Sequence, residues 1–490
     1  MIRVGHAAEA PEFPEAARLA LSNQQLRANV RRATDVIRGK RAAVVGELAD
    51  WQELREAGRQ IKAHVLRHLA EYLEQFEENC IRAGGHVHWA RDADEANALI
   101  VRIIQSHGER EVIKVKTMTS DETGLNGALE AAGITPFETD LADLIIQLGH
   151  DRPSHIVVPA LHRNRAEIRE LFQKTMGVGE LGREPEDLAR AARQFLREKF
   201  LRVNVGFSGA NFALADTGGV CVVESEGNGR MCVTLPRVLV TLVGIEKIVP
   251  SIADLEVFLQ LLPRSATGER MNPYNSIWTG TQGAQGAQGG RDTGRSPDGP
   301  EEFHVVLLDN GRTSVLSDPE SRETLHCIRC AACLNACPVY RQTGGHAYGS
   351  IYSGPIGAIL TPQLQSMEHS TSLPYASSLC GACYEVCPVK INIPEILIHL
   401  RRRIVEADPP RGEGLAMRAA SLAFSDGGWL SLAQRLGRLA QWPFVDGGKI
   451  RSLPGPAGGW TKTRDLPAVP AQTFREWWAA RKRTARGAAK

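Results

Sequence analysis

The sequence predicts an α/β domain on a mostly parallel sheet, preceded by helices and followed by a smaller, mainly helical domain organised by cysteines. Three observations carry this. From about residue 85, short strand patterns alternate with amphipathic helical ones, the signature of βαβ units. Between about 205 and 245 the texture turns β-rich. Seven of the ten cysteines then fall between positions 327 and 387. The 490 residues, 43% hydrophobic and 23% charged, are enough for two or three domains with their own cores and exclude wholesale disorder or a fibre.

Residues 1–80 are rich in Ala, Arg, Leu and Glu, and IKAHVLRHLAEYLEQFEENC has apolar residues at helical spacing, so a helical lead-in packed against the adjoining domain is expected. The α/β domain is placed at 81–317. GHVHWA is its first strand, ADEANALIVRIIQSHG a helix and VIKVKTMTS the next strand. TGLNGALEAAGI and TPFETD repeat the unit, and SHIVVPAL supplies a further strand. Helices come next at 165–176 and 185–200, and then strands FALADT, GVCVVES, RMCVTL and RVLVTLVGI continue the same sheet. Residues 279–300 carry a QGA repeat and almost nothing apolar, so they read as a mobile surface loop inserted before the strand EFHVVLLDNG. The cysteine domain is placed at 318–400. A helical and irregular region, 401–490, ends in a basic, solvated tail.

Lys+Arg total 58 against 56 for Asp+Glu, and a net charge of +2 offers no reason to expect nucleic acid as a partner. The amino terminus lacks a secretory pattern and no apolar run approaches the ~20 residues that span a bilayer, so a cytoplasmic location is expected. In that setting clustered cysteines point to metal rather than disulfides.

Cys327-x2-Cys330-x2-Cys333-x3-Cys337-Pro338 is the bacterial ferredoxin run, whose first three thiolates wrap one cubane while the fourth turns to another cluster. Cys380-x2-Cys383-x3-Cys387-Pro388 matches its last three positions. Reciprocal exchange assigns Cys327, Cys330, Cys333 and Cys387 to cluster one, and Cys337, Cys380 and Cys383 to cluster two. Ser377 stands where an eighth cysteine would fall and offers a poorer hydroxyl ligand; a non-Cys ligand or a [3Fe-4S] cluster is the alternative. Zinc fits badly, because closed zinc sites use four ligands in paired loops. Cys80, Cys221 and Cys232 are solitary and read as buried, inert thiols.

In the α/β domain, Gly177 to Gly182 satisfies G-x-G-x-x-G but comes after a helical segment, so it is set aside. Carboxylates, glycines and an arginine gather at Asp216 to Gly219 and Glu224 to Arg230, at strand ends where α/β proteins bind ligands. Arg230 is a candidate for pairing with a substrate carboxylate, and Glu224 or Glu226 for taking a proton. The simpler reading has Gly227, Asn228 and Gly229 turning a hairpin with solvated charges. Thr119 to Gly124 either receives an anion at a helix start or is capped by Ser120 or Asp121. His155 and His162 read as hydrogen-bonding residues. His86 and His88 share a strand face with no third ligand nearby, so no metal is expected there.

The segments TMTSDETGLNGALEAAGI, FSGANFALADTGGVCVVESEGNGR, VGIEKIVP, HVVLLDNGR and GGHAYGSIYSGPIGAILTP, with the cysteine runs, closely resemble the lactate utilisation protein B (LutB/LldF) iron-sulfur family over about 80–400, and the Trp442 to Trp478 region is similar too. The resemblance implies a LUD domain related to the NagB/RpiA/CoA-transferase fold, fused to a ferredoxin-type domain with two [4Fe-4S] clusters, the second held by three cysteines. It further implies oxidation of L-lactate to pyruvate by a three-protein complex whose other members are a cysteine-rich CCG-domain protein and a second LUD protein. On this reading the chain is the electron-transfer subunit, with L-lactate as a small-molecule ligand. The alternatives are a general iron-sulfur carrier for another dehydrogenase or reductase, and a redox sensor.

Overall fold

The computed structural model describes residues 11–281, 299–365, 367–409 and 411–487. It divides into two compact units, Met1–Ile404 and Val405–Lys490. The first begins with four helices: α1 (Phe13–Ser22), α2 (Gln24–Gly46), α3 (Trp51–Arg67) and α4 (Leu69–Arg82).

Next in the chain is a six-stranded, all-parallel sheet in the order β1-β10-β7-β4-β2-β3. Its strands are β1 (His86–Ala90), β2 (Glu111–Lys114), β3 (Thr135–Glu138), β4 (Val205–Gly209), β7 (Val238–Gly244) and β10 (Glu302–Leu308). Every residue of the central strands β4 and β7 is buried, as a parallel sheet covered on both faces requires. Alternation along each strand sorts two cores. Val240, Leu242, Val306 and Leu308 face α5 (Ala93–Ser106) and α7 (Leu125–Ala131), which comes after the short α6 (Met118–Thr123). Leu239, Val243, Val305 and Leu307 face a core continuous with the cysteine segment through Leu334, Tyr340 and Ile356.

The other strands form a separate four-stranded sheet, not a continuation of the first. It contains β5 (Phe212–Leu214), β6 (Gly219–Glu224), β8 (Ile248–Val249) and β9 (Tyr274–Trp278), in the order β8-β5-β6-β9. Two expected strands are absent. RMCVTL lies in helix α11 (Asn228–Thr234), because Gly227 at φ 83° turns the chain into a helix rather than a hairpin. SHIVVPAL is irregular: the Val157 and Val158 amides donate to His155 Nδ1 at 3.1 and 3.0 Å, so that ring takes the place of a strand neighbour. Helices α8 (Leu141–Leu148), α9 (Arg165–Thr175), α10 (Pro185–Arg202) and α12 (Ile252–Ala266) complete the domain. The G-x-G-x-x-G stretch is the irregular link between α9 and α10. The 279–300 loop falls largely at 282–298, outside the described residues.

The lead-in helices reach far along the chain. Arg41 and Arg55, on α2 and α3, donate to the carbonyls of Val386 (3.0 Å) and Cys387 (2.9 Å), clasping the second cysteine motif. The α/β-domain loop that carries Ser154 and His155 meets the first motif: Tyr340 Oη donates to the Ser154 carbonyl at 2.7 Å, and His155 Nε2 lies 3.2 Å from Asn335 Oδ1. The second unit holds helices Arg411–Ser425, Gly427–Ala440 and Phe474–Gly487 and a small antiparallel sheet. Its last helix replaces the frayed tail the sequence suggests: Arg481 and Lys482 lie over Trp477 and Trp478 one turn earlier, at 5.4 and 5.6 Å.

Candidate functional site

The two cysteine motifs fold as copies of one another. Each ends in a five-residue helix, Ala332–Ala336 or Ala382–Val386, and each has a cysteine flanked by two left-handed residues. Around Cys330 these are Arg329 (φ 61°) and Ala331 (φ 59°); around Cys380 they are Leu379 (φ 53°) and Gly381 (φ 83°). Non-glycine residues held there cost on the order of 1–3 kcal/mol each, a strain that gathers where backbone must curl around a ligand. Amides turn toward sulfur as a result. Arg329 N donates to Cys327 Sγ and Ile391 N to Cys387 Sγ, both at 3.4 Å.

The thiols of the two motifs act on one another both within and across the motifs. Burial pushes the Cys330 and Cys333 thiols above their ordinary value, and charge on Cys327 and Cys387 raises both further, with Cys383 also raising Cys333. Burial likewise lifts Cys387 to about 11, with Cys327 adding to it. Cys383 is pushed up to about 12 by burial and then by Cys337 and Cys380, and Cys337 is raised by burial and by Cys380. Thiols so crowded cannot ionise together unless cations are shared among them, which is what an iron-sulfur cluster supplies. The donor set fits such clusters, soft sulfur throughout. Ser377 Oγ accepts from the Leu379 amide at 3.1 Å, within its own turn. The solitary thiols of Cys80, Cys221 and Cys232 are buried and pushed up to about 12, as inert thiols should be.

A buried ionic network joins this loop to the parallel sheet. Arg312 grips Glu122 with two nitrogens at 2.8 and 2.9 Å and Glu246 with its Nε at 2.5 Å. Arg329, two residues after Cys327, reaches Glu246 at 3.3 Å. Tyr352 and Asn310 donate to Glu122 at 2.6 and 2.7 Å, and Lys62 Nζ donates to the Glu246 carbonyl. Burial alone would push Glu246 up, but Arg312 and Arg329 overcome it and hold the carboxyl at about 2. A β-carbon at Gly244 would collide with both the Glu246 carboxylate and the Arg312 guanidinium, so the strand must end in glycine.

A cavity of about 200 Å³ opens beside that network, at the carboxyl ends of β2, β4 and β6, with Lys116, Glu224, Glu226, Asn228, Lys247 and Arg329 on its walls. Lys247 makes no hydrogen bond or ion pair among the described residues, and Asn228 Oδ1 is buried without a partner. Burial lowers the Lys247 ammonium to about 7, helped by Arg329. Glu226, exposed at the rim, is raised to about 7 by partial loss of hydration and then by Asp140, against the Leu141 amide that donates to its Oε2 at 3.1 Å. Glu224 has another task, accepting the amides of Glu226, Gly227 and Arg230 at 2.7, 2.6 and 3.2 Å and so capping α11. The Arg230 side chain is on the exposed side of α11, and the cations of the cavity are Lys116, Lys247 and Arg329. The Thr119 to Gly124 segment is capped by Thr117, whose side chain accepts from Thr119 N at 3.2 Å, not by Ser120 or Asp121.

Residues 73–308 match the LUD domain, 323–391 the 4Fe-4S dicluster domain and 402–483 the C-terminal region of lactate utilisation protein B. Lactate utilization protein B of Bacillus licheniformis is 44% identical over 475 residues, 96% of this chain and 97% of that protein. The chain belongs to the lactate utilization protein B family. The protein of that name from Bacillus subtilis is 43% identical over 477 residues, 97% of each chain, and the one from Geobacillus kaustophilus 44% over 447 residues, 91% of each. A solved DUF162 family protein from Deinococcus radiodurans covers 49% of this chain and 98% of its own at 13% identity, with a TM-score of 0.26. The family has a LUD domain, here with its parallel α/β core, followed by a dicluster iron-sulfur domain. No helix among the described residues is long and apolar enough to cross a membrane.

Periodicity misses the cations of the site. Lys247, Arg312 and Arg329 have no helical or strand rhythm of their own; the available signal is charge set against an otherwise apolar strand end, as in LVGIEKIVP.

Proposed function

We propose that this chain is an electron-transfer subunit in the oxidation of L-lactate to pyruvate, working with a cysteine-rich CCG-domain protein and a second LUD protein. The observation that carries this is the pair of cysteine motifs folded as copies within the 4Fe-4S dicluster match, and Cys387 of the second motif acting on Cys330 and Cys333 of the first supports a crossed ligation. Cys327, Cys330, Cys333 and Cys387 then hold one [4Fe-4S] cluster, and Cys337, Cys380 and Cys383 the other. Two such clusters side by side accept and pass electrons singly. Cys380 is exposed, and so are its apolar neighbours Tyr375, Leu379 and Tyr384, which suits the docking of a redox partner at the second group.

The LUD cavity suits the substrate. Lys247 and Arg329 present cations to a carboxylate, Asn228 offers a polar contact, and Glu226 takes the hydroxyl proton, while the C2 hydrogen and two electrons pass to a two-electron acceptor held by a partner subunit, from which the clusters draw electrons singly. A purified complex lacking this chain should fail to pass electrons from lactate to an artificial acceptor; full activity without it removes the proposal. Because Glu226 is a base only above about 7 and the Lys247 ammonium is lost above about 7, lactate oxidation by the complete complex should rise with pH to a maximum near that value and then fall. Glu226→Gln should lower turnover by about 10²-fold or more and abolish that rise.

A further inference from the structure

The sheet face beneath α5 gathers a second group of chemistry-bearing side chains that electron transfer does not use. His86 pairs in register with His304, so His86, His88, Glu302 and His304 share one face of β1 and β10. Helix α5 crosses this face and ends at His107. We propose that His107, Glu302 and His304 form a site for a divalent transition-metal ion of the zinc class, with water completing the coordination.

Three features point there. His107 Nε2 and His304 Nε2 lie 3.3 and 3.4 Å from the same oxygen, Glu302 Oε2. Those separations are long for charged hydrogen bonds but match the edge of a tetrahedron with metal–ligand bonds of ~2.0 Å, about 3.3 Å. The second feature is support from behind: His304 Nδ1 is 3.1 Å from His88 Nε2, an outer contact that fixes the ring and leaves Nε2 to face the site. The third is charge. The carboxyl end of α5 favours a cation, and no lysine or arginine among the described residues pairs with Glu302. Arg237 acts electrostatically on Glu302 from a distance, but its ion pair is with Glu301 at 2.7 Å.

The group formed by Asp151, His162 and His346 shows the contrast. There Arg163 already stands 2.5 Å from Asp151 and would repel an ion. Two imidazoles and one carboxylate suit zinc-class ions better than magnesium or calcium, which prefer oxygen throughout. The site sits at the start of β10, opposite the cavity end of the sheet, so its ion would pin the edge strands to α5.

The test uses the full chain, purified anaerobically with its iron intact and then titrated with Co²⁺ and, separately, Zn²⁺. The expected result is one further equivalent, with Co²⁺ giving d–d bands of nitrogen and oxygen coordination and no thiolate-to-metal charge transfer. His107→Ala and Glu302→Gln should each weaken Zn²⁺ binding at least tenfold, as should the outer variant His88→Ala, while the iron-sulfur absorbance stays unchanged. No added equivalent in the wild type, thiolate bands alone, or equal binding by the His107 and Glu302 variants would overturn the proposal.

Discussion

Replacing Cys387 with serine is expected to destroy the cluster that the first motif wraps, although Cys387 belongs to the second. Cys337→Ser should do the converse. Each change should remove about half of the bound iron, and electron paramagnetic resonance of the reduced protein should show a different surviving signal in each. The reason is local. Cys330 and Cys333 are raised by charge on Cys387 and Cys383 by charge on Cys337, alongside the effect of Cys383 on Cys333. Cys387→Ser leaves cluster one with three thiolates and Cys337→Ser leaves cluster two with two, and in cluster one the lost ligand also carries the Ile391 amide contact at 3.4 Å. Electron flow from lactate should fall to background in both variants, since a relay is cut at either centre. Should Cys387→Ser leave the first cluster's signal intact and remove the second's, each motif must close its own cluster.

The cysteines were legible because their chemistry is written in short-range spacing, and Cys-x2-Cys-x2-Cys-x3-Cys-Pro has few other uses. The strands β1, β2, β3, β7 and β10 were legible because they are short apolar runs bounded by turn residues. RMCVTL has the same local composition as those strands, and only the backbone at Gly227 decides that it is helical. The residues that share a face with His86 and His88 come from elsewhere in the chain. His304 arrives more than 200 residues later through a parallel pairing, and His107 through the end of a helix. Long-range register leaves no trace in local periodicity. The same holds for Lys247 and Arg329, which meet at the cavity only after β7 and the first cysteine loop have packed together.

Arg312→Met should be the most damaging single change outside the cysteines. The methionine fills much of the volume but leaves Glu122 and Glu246, both fully buried, without the guanidinium that now bonds them at 2.8, 2.9 and 2.5 Å. Breaking one buried pair by removing a partner costs about 3–5 kcal/mol, and Arg312 serves two carboxylates. Against a typical stability of about 5–15 kcal/mol, the variant should unfold at much lower denaturant or lose its clusters during purification. Acid offers the complementary measurement. Glu246 is held at about 2, below its ordinary value of 4.5, so its contribution is fully present above about 4.5 and is lost as pH falls toward 2. Arg312→Met removes the larger of the two arginine effects that hold it there and leaves Arg329, so the rise of stability with pH across that window should be smaller. The double change Arg312→Met with Glu246→Gln should recover part of the loss, because it removes one of the two stranded charges. Thermal denaturation of the single and double variants checks the order: if the double variant were no more stable than the single one, the damage would come from packing and not from unpaired charge.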